Sequence, residues 1–275
     1  LEKNNKMNLF ENNNFVINNP NYSYESNNDF EIGTLSFFNE DYLNKLKNKY
    51  KLDKLVSLCN NDFDKVLEVT KWVSNLWHHD GLNQPEKNDP LFILDEVVEN
   101  NKQFRCVEYG IVIYGCLTAL GIPSRKLALK TADVESREYG AGHVVTEVYL
   151  FDLKKWIFVD GQFGVIPTYN NIPLNAVEFG AVLSADKNIF LNLRFIRLQN
   201  NNNFSAKKYL SFVKEYLYYL DFAYLAKPLD IDSIKRVMLT PTGSKNPTVF
   251  QIKYPLDIDF YTHSVIDFYP MINNQ

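Results

Sequence analysis

Three residues carry types and surroundings suited to covalent chemistry. Cys106 stands in Phe104-Arg105-Cys106-Val107-Glu108-Tyr109, His143 in Gly142-His143-Val144-Val145, and Asp160 at the end of Lys155-Trp156-Ile157-Phe158-Val159-Asp160. A thiol, an imidazole and a carboxylate in that order can form a nucleophile, its general base and the group that orients the base. A free thiol has a pKa near ~8.5, so only a few per cent is thiolate at neutral pH. A helix N-terminus, with about +0.5 charge and unpaired N–H groups, favours the anion. A neighbouring imidazolium adds to this, and together such effects bring cysteines into the ~3.5–7.5 range. The imidazole in turn needs an acceptor on its second nitrogen, which fixes its tautomer. The cysteine and nearby backbone N–H groups can then receive a developing oxyanion.

These roles require particular elements. Val107, Ile111, Tyr114, Leu117 and Leu120 recur at helical spacing, so Cys106 opens a helix. Gly121 suits its C′ position, and Pro123 follows two residues later. Gly110 and Gly115 lower helix propensity by ~1 kcal/mol each, which points to close packing against a neighbour. Gly142 to Leu150 and Trp156 to Asp160 are rich in β-branched and aromatic residues and read as two strands of a hairpin. Parity of the link is decisive, because strand side chains alternate between faces. A two-residue loop, Phe151-Asp152, sets His143 opposite Asp160. A four-residue loop, Phe151 to Lys154, sets His143 opposite Gln162, with Asp160 its diagonal neighbour on the same face. An odd loop would put the two on opposite faces, so the reading demands an even one.

Upstream, Glu40 to Tyr50, Lys51 to Leu58, a run from an Asp62 cap to Trp77, and Leu91 to Val98 read as helices. Residues 1–35 are Asn-rich and form an irregular arm. Residues 36–199 form the domain that holds the three residues. Residues 200–275 form an extension packed on it: Asn200-Asn201-Asn202-Asn203 is a loop or boundary, Ser205 to Ala226 reads as a helix, and Val237–Thr240, Thr248–Ile252 and Ile258–Thr262 read as short strands.

Composition narrows the function classes. With 275 residues, 45% of them hydrophobic and 15% aromatic, the chain can bury a large, partly aromatic core. The net charge of −4 has its acids and bases interspersed, with no basic stripe or basic amphipathic helix, which argues against nucleic acid and anionic membranes as partners. No apolar run reaches the ~20 residues of a membrane span. A cytoplasmic protein fits, as does a secreted one whose leader has been removed, since the sequence begins at Leu1. Three cysteines exclude a disulfide framework, and Cys59 and Cys116 read as small buried hydrophobes. His78-His79-Asp80 lacks the i, i+4 spacing of a helical zinc site and reads as a surface helix end, so no metal is expected. A phosphate-binding glycine loop and a serine nucleophile elbow are also missing, and no cofactor is expected.

As a set, the Cys-opened helix, Leu120-Gly121-Ile122-Pro123-Ser124-Arg125, the Gly-His strand running into Glu147-Val148-Tyr149, and Trp156-Ile157-Phe158-Val159-Asp160 resemble the transglutaminase-like superfamily over residues 62 to 165. The resemblance implies an α+β, papain-like fold, with the nucleophile helix packed on an antiparallel sheet. It implies Cys106 as nucleophile, His143 as general base and acid, and Asp160 as its orienter. It also implies a protein or peptide substrate whose peptide bond or Gln/Asn side-chain amide becomes a thioester, with hydrolysis favoured over transfer to an amine. Val144 and Val145 follow the histidine where many members carry an aromatic. Arg105-Cys106-Val107-Glu108 is similar to the peptide N-glycanase motif, without that family's paired Cys-x-x-Cys ligands. Asp160-Gly161-Gln162-Phe163-Gly164 faintly resembles arylamine N-acetyltransferases, without their Arg-Gly-Gly signature. A non-enzymatic interaction module on the same fold is the rival class. Arg105, Trp77, Gln162 and Glu108 are further candidates for contacting substrate.

Overall fold

The computed structural model describes residues 22–27, 29–185, 191–195 and 206–272. Residues 1–21 of the Asn-rich arm and the Asn200–Asn203 loop lie outside them. The chain is α+β. Helices α1 (Glu40–Lys49), α2 (Leu52–Leu55), α3 (Asp62–Ser74) and α4 (Pro90–Asn100) precede α5 (Cys106–Ala119). Strands β1 (Ser124–Lys130), β2 (Gly142–Leu150), β3 (Lys155–Val159), β4 (Val165–Tyr169) and β5 (Ile172–Pro173) follow. After α6 (Ala176–Ser184), β6 (Leu191–Phe195) and α7 (Ala206–Tyr216) come β7 (Tyr219–Leu225), β8 (Ile234–Leu239), β9 (Val249–Phe250), β10 (Tyr254–Pro255), β11 (Phe260–Thr262) and α8 (Val265–Phe268).

The helices start where short polar side chains cap them. Asn39, Asn61 and Asp89 each accept a backbone N–H three residues on, from Tyr42, Asp64 and Phe92. The cap of α3 is therefore Asn61, and Asp62 is its first helical residue. Pro90 occupies the start of α4, where its missing N–H costs nothing. Helix α5 ends in a Schellman motif: the Gly121 N–H reaches the Thr118 carbonyl at 3.0 Å and the Ile122 N–H reaches Leu117 at 2.9 Å. Gly121 adopts φ +76°, which a side chain would resist.

One six-stranded sheet, in the order β11-β8-β7-β1-β2-β3, carries the structure; β11 and β8 are parallel and the other neighbours antiparallel. Alternation along β2 separates two cores. Val148 and Leu150 join Ile157 and Val159 of β3 in the cluster under α1–α5. Val145 joins Leu127, Leu129 and Phe158 in a second cluster, under α6, α7 and α8. Helix α5 lies close to β2, and a Cβ on Gly110 would stand 3.1 Å from Val144 Cγ1. One on Gly115 would collide with Pro90 of α4 at 2.5 Å. The two glycines thus exchange helix propensity for proximity.

The sequence reading of one long helix from Ser205 to Ala226 is corrected. Helix α7 stops at Tyr216, and Tyr219–Leu225 forms β7, paired with both β1 and β8. The run is aromatic, and its period is two: Leu220, Phe222 and Tyr224 lie in one core, and Asp221 points to the other face. Strands β7, β8 and β11 thereby widen the sheet beyond the area that α5 covers. The described end of the arm also packs here, with Thr34 bridged to Leu225 and the Tyr22 hydroxyl donating to the Tyr218 carbonyl at 2.8 Å.

Candidate active site

The β2–β3 link is the four-residue, even one. Leu150 pairs with Lys155 and Thr146 with Val159. Continued by the same count, His143 lies opposite Gln162, and Asp160 falls diagonally on the face of His143. His143 Nε2 meets Asp160 Oδ2 at 2.8 Å. The His143 ring also hydrogen-bonds the Cys106 thiol, which leaves Nδ1 as the nitrogen that serves sulfur. Cys106, His143 and Asp160 therefore form one continuous chain from the start of α5 across the sheet.

Asp160 is fully buried, and each of its oxygens is occupied. Oδ1 accepts the Phe163 N–H at 3.2 Å, and Oδ2 accepts the Tyr209 hydroxyl at 3.1 Å beside His143. Burial and the charge of Asp160 push the Tyr209 phenol well above its ordinary pKa, so it stays a donor. Phe163, Phe212 and Tyr216 pack round the His143 ring with centroids 5.4–6.0 Å away. Two of these rings and Tyr209 lie on α7. Their spacing, 209, 212 and 216, is one helical stripe. That stripe was visible in the sequence, but nothing in it said which wall it would cover. Tyr209→Phe is expected to cost about 1.5–3 kcal/mol of stability, the value of one hydrogen bond to a charged group. It should also lower any acyl-transfer rate, by less than about tenfold; urea melts and steady-state assays check the two.

Electrostatics turn the Cys106–His143 contact into an ion pair. Burial alone would push the thiol up, but hydrogen bonds from His143 and His79, the charge of His143 and the Val144 backbone N–H bring it down to about 6. Burial would likewise push His143 down; the charge and hydrogen bond of Asp160, with the thiolate, raise it to about 10. The two values belong to one coupled pair. Thiolate and imidazolium coexist between them. The other thiols move the opposite way: burial raises the half-buried Cys59 and pushes the fully buried Cys116 far up.

His79 corrects the reading of His78-His79-Asp80 as a mere surface helix end. Helix α3 has already stopped at Ser74, and the next segment is tied to the start of α5. The Asp80 N–H donates to the Phe104 carbonyl at 2.9 Å, and Asn83 Nδ2 donates to the Gln103 carbonyl at 2.6 Å. Tyr109 donates to the Trp77 carbonyl at 2.7 Å and stacks on the Trp77 ring at 4.0 Å. These contacts hold the exposed His79 side chain over the sulfur.

A cleft of about 420 Å³ opens on Cys106 and His143. Its floor is the part of the sheet beyond α5, with Lys130, Asp221 and Arg236; Phe250, Tyr254 and Leu256 from the β9–β10 region form a wall. The four secondary candidates do not line it. Glu108 is fully buried and caps α5 by accepting the Arg105 N–H at 3.0 Å and Arg105 Nη2 at 2.8 Å. That ion pair also engages Arg105. Trp77 is buried and stacked on Tyr109. Gln162 sits half-buried in the turn after Asp160. Substrate contact by these four is therefore not what the geometry favours. Among the described residues no group of three or more His, Cys, Asp and Glu could hold a metal ion, and no helix is long and apolar enough to cross a membrane.

Comparison with known proteins bears on this geometry. Residues 50–161 match the family model of the transglutaminase-like superfamily, an interval that takes in Cys106, His143 and Asp160. Over that interval the chain is similar to a transglutaminase-like core. Solved structures similar to it include a candidate cysteine protease from Cytophaga hutchinsonii, with 18% identity over 48% of this chain and 46% of that one and a TM-score of 0.34. A TGase shares 23% identity over 44% of this chain and 31% of its own, with a TM-score of 0.30. A candidate protease from Parabacteroides distasonis shares 15% over 45% and 29%, with a TM-score of 0.29. The likeness thus spans less than half of each of these chains. No curated protein matches the sequence. Beyond the matched interval, β7, β8 and α7 complete the surroundings of Cys106, His143 and Asp160, adding to the cleft floor and supplying the donor to Asp160.

Proposed function

We propose that the protein is a thiol acyl-transfer enzyme acting on peptide or Gln/Asn side-chain amides, with Cys106 as nucleophile, His143 as acid and base, and Asp160 as the residue that orients His143. The observation that carries the reading is the continuous Cys106–His143–Asp160 chain ending in a thiolate at an open cleft. In the first half-reaction the thiolate attacks the amide carbonyl carbon. The oxyanion forms beside the positive end of α5 and the His79 ring, both suited to accept it. His143 then gives its Nδ1 proton to the departing nitrogen, and the C–N bond breaks to leave a thioester. In the second, neutral His143 takes a proton from water, whose oxygen attacks the thioester; the C–S bond breaks, and the thiolate and imidazolium return. Hydrolysis is favoured over amine transfer because the site is open to solvent at His79, so water reaches the thioester freely.

The test is trapping and turnover with a Gln-donor substrate and a peptide library, comparing wild type with Cys106→Ala. Turnover by wild type alone supports the reading, and equal inactivity of both against every donor counts against it. The pH profile gives a second check. The sulfur must be ionised and His143 protonated, so kcat/KM should rise through about pH 6 and fall towards about pH 10. His79→Ala should move the rising limb upward, since one of the donors that holds the thiol down is lost; a stopped-flow pH series reads the shift.

A further inference from the structure

The cleft floor holds more positive charge than its own acid can neutralise. Asp221, 1% exposed, lies between Lys130, with which it pairs in the interior, and Arg236, whose Nη1 reaches Asp221 Oδ1 at 2.6 Å. Both carboxylate oxygens are thereby taken. Arg236 is different: its side chain is 40% exposed, one of its five N–H donors meets Asp221, and the neighbouring Asp259, which accepts the Arg236 backbone N–H at 2.8 Å, has its other oxygen on Lys235. Lys126, one row along on the same face, feels this surplus; burial and the nearby Arg236 charge lower its pKa to about 8. On the opposing wall, Asp257 is exposed and solvated.

Register fixes how far this charge lies from the sulfur. Val144 pairs with Ala128, and Ala128 pairs with Asp221. The Val144 backbone N–H touches Cys106, so Asp221 lies two strands away in the same row, about 10 Å at ~4.8 Å per strand, and Arg236, one strand further on β8 opposite Ala223, reaches back to it with its side chain. Extended peptide covers that span in about three residues.

We infer that Arg236, backed by Lys130 and Asp221, forms a subsite for a substrate carboxylate lying two to three residues from the acyl group that Cys106 attacks. This rests on the acyl-transfer reading and names its substrate class: an acidic peptide, supplying either an Asp or Glu side chain or a free C-terminal carboxylate. A guanidinium with a free fork takes a carboxylate through paired N–H bonds. The apolar wall of Phe250, Tyr254 and Leu256 limits its competition from water.

Thiol-directed peptide probes test the subsite without requiring turnover. Iodoacetyl-Gly-Glu-amide is compared with iodoacetyl-Gly-Gln-amide for the side-chain source. Iodoacetyl-Gly-Gly acid is compared with its amide for the terminal source. Labelling of Cys106 is followed by mass spectrometry at pH 7, with iodoacetamide as the reference in each protein. In the wild type one acid probe should react faster than its uncharged twin by on the order of tenfold. That preference should vanish in Arg236→Gln and survive in part in Arg236→Lys. Equal rates for acid and amide in both pairs, with brisk iodoacetamide labelling, would overturn the subsite alone. So would a preference unchanged in Arg236→Gln. Iodoacetamide labelling of Cys106 no faster than of Cys59 would instead overturn the acyl-transfer reading, and this inference with it.

Discussion

Asp160→Asn is expected to lower kcat by about 10³–10⁴, the size of effect that a wrong imidazole tautomer produces in triad enzymes, with little change in KM. In the native chain His143 donates from Nε2 to a buried carboxylate, so its Nδ1 is free to exchange a proton with sulfur. An amide at 160 can present its NH2 group to the ring instead. Nε2 then becomes an acceptor, the resident proton moves to Nδ1, and the ring can no longer take a proton from that side. The carboxylate charge that stabilises the imidazolium is lost as well, so the His143 pKa falls from about 10 and the Cys106 pKa climbs from about 6. The Phe163 N–H keeps its oxygen, and the Tyr209 hydroxyl, which loses its acceptor, can turn to accept from the new NH2 group, so the fold should survive. Steady-state kinetics beside a thermal melt separate the two effects. A variant within tenfold of wild type would remove Asp160 from the mechanism.

Arg125→Met is expected to destabilise the fold by about 3–5 kcal/mol, because it strands a buried charge. Glu147 is fully buried, and Arg125 reaches its Oε2 through Nε at 3.1 Å and Nη2 at 2.7 Å. The guanidinium is also ringed by Trp156, Phe222, Phe268 and Tyr269, with centroids 3.9–4.8 Å away. Its Nη1 donates to the Phe268 carbonyl at 2.9 Å, and the Tyr269 hydroxyl donates to Glu147 at 2.7 Å. One ion pair thus fastens the α8 segment to the middle of the sheet. Adding Glu147→Leu to Arg125→Met should restore part of the loss, since no unpaired charge then remains. Urea denaturation of the two single variants and the double one measures the coupling; additive losses would show that the pair does not act as a unit.

Arg125 and Glu147 also show what sequence can and cannot yield. Both fell within segments that mark the family resemblance, yet they touch neither Cys106 nor the cleft; their place is the opposite core. By contrast, the placing of Cys106, His143 and Asp160 was legible because it depends on local rules: helical spacing after Cys106, strand alternation, and the parity of one short link. His79 was not legible, since its position depends on backbone bonds from Asp80 and Asn83 to the residues before α5. Neither was Arg236, which reaches the cleft only because β7 and β8 extend the sheet past α5. Reading Ser205 to Ala226 as one helix hid that extension, since seven of its residues are β7 and carry Asp221. Long-range pairing of this kind leaves only a period-two trace, and a run dense in aromatics blurs it.

The most direct test is the pH dependence of alkylation at each of the three thiols, read by peptide mass spectrometry in wild type and His143→Ala. At pH 6 about half of Cys106 should be thiolate, against well under 1% for an ordinary thiol. Cys106 should therefore label roughly a hundredfold faster than Cys59, with a midpoint near pH 6 that moves above 8 when His143 is replaced. Cys106 labelling at the pace of Cys59, with a midpoint above 8 in the wild type and no response to His143→Ala, would contradict the ion pair on which the proposed chemistry depends.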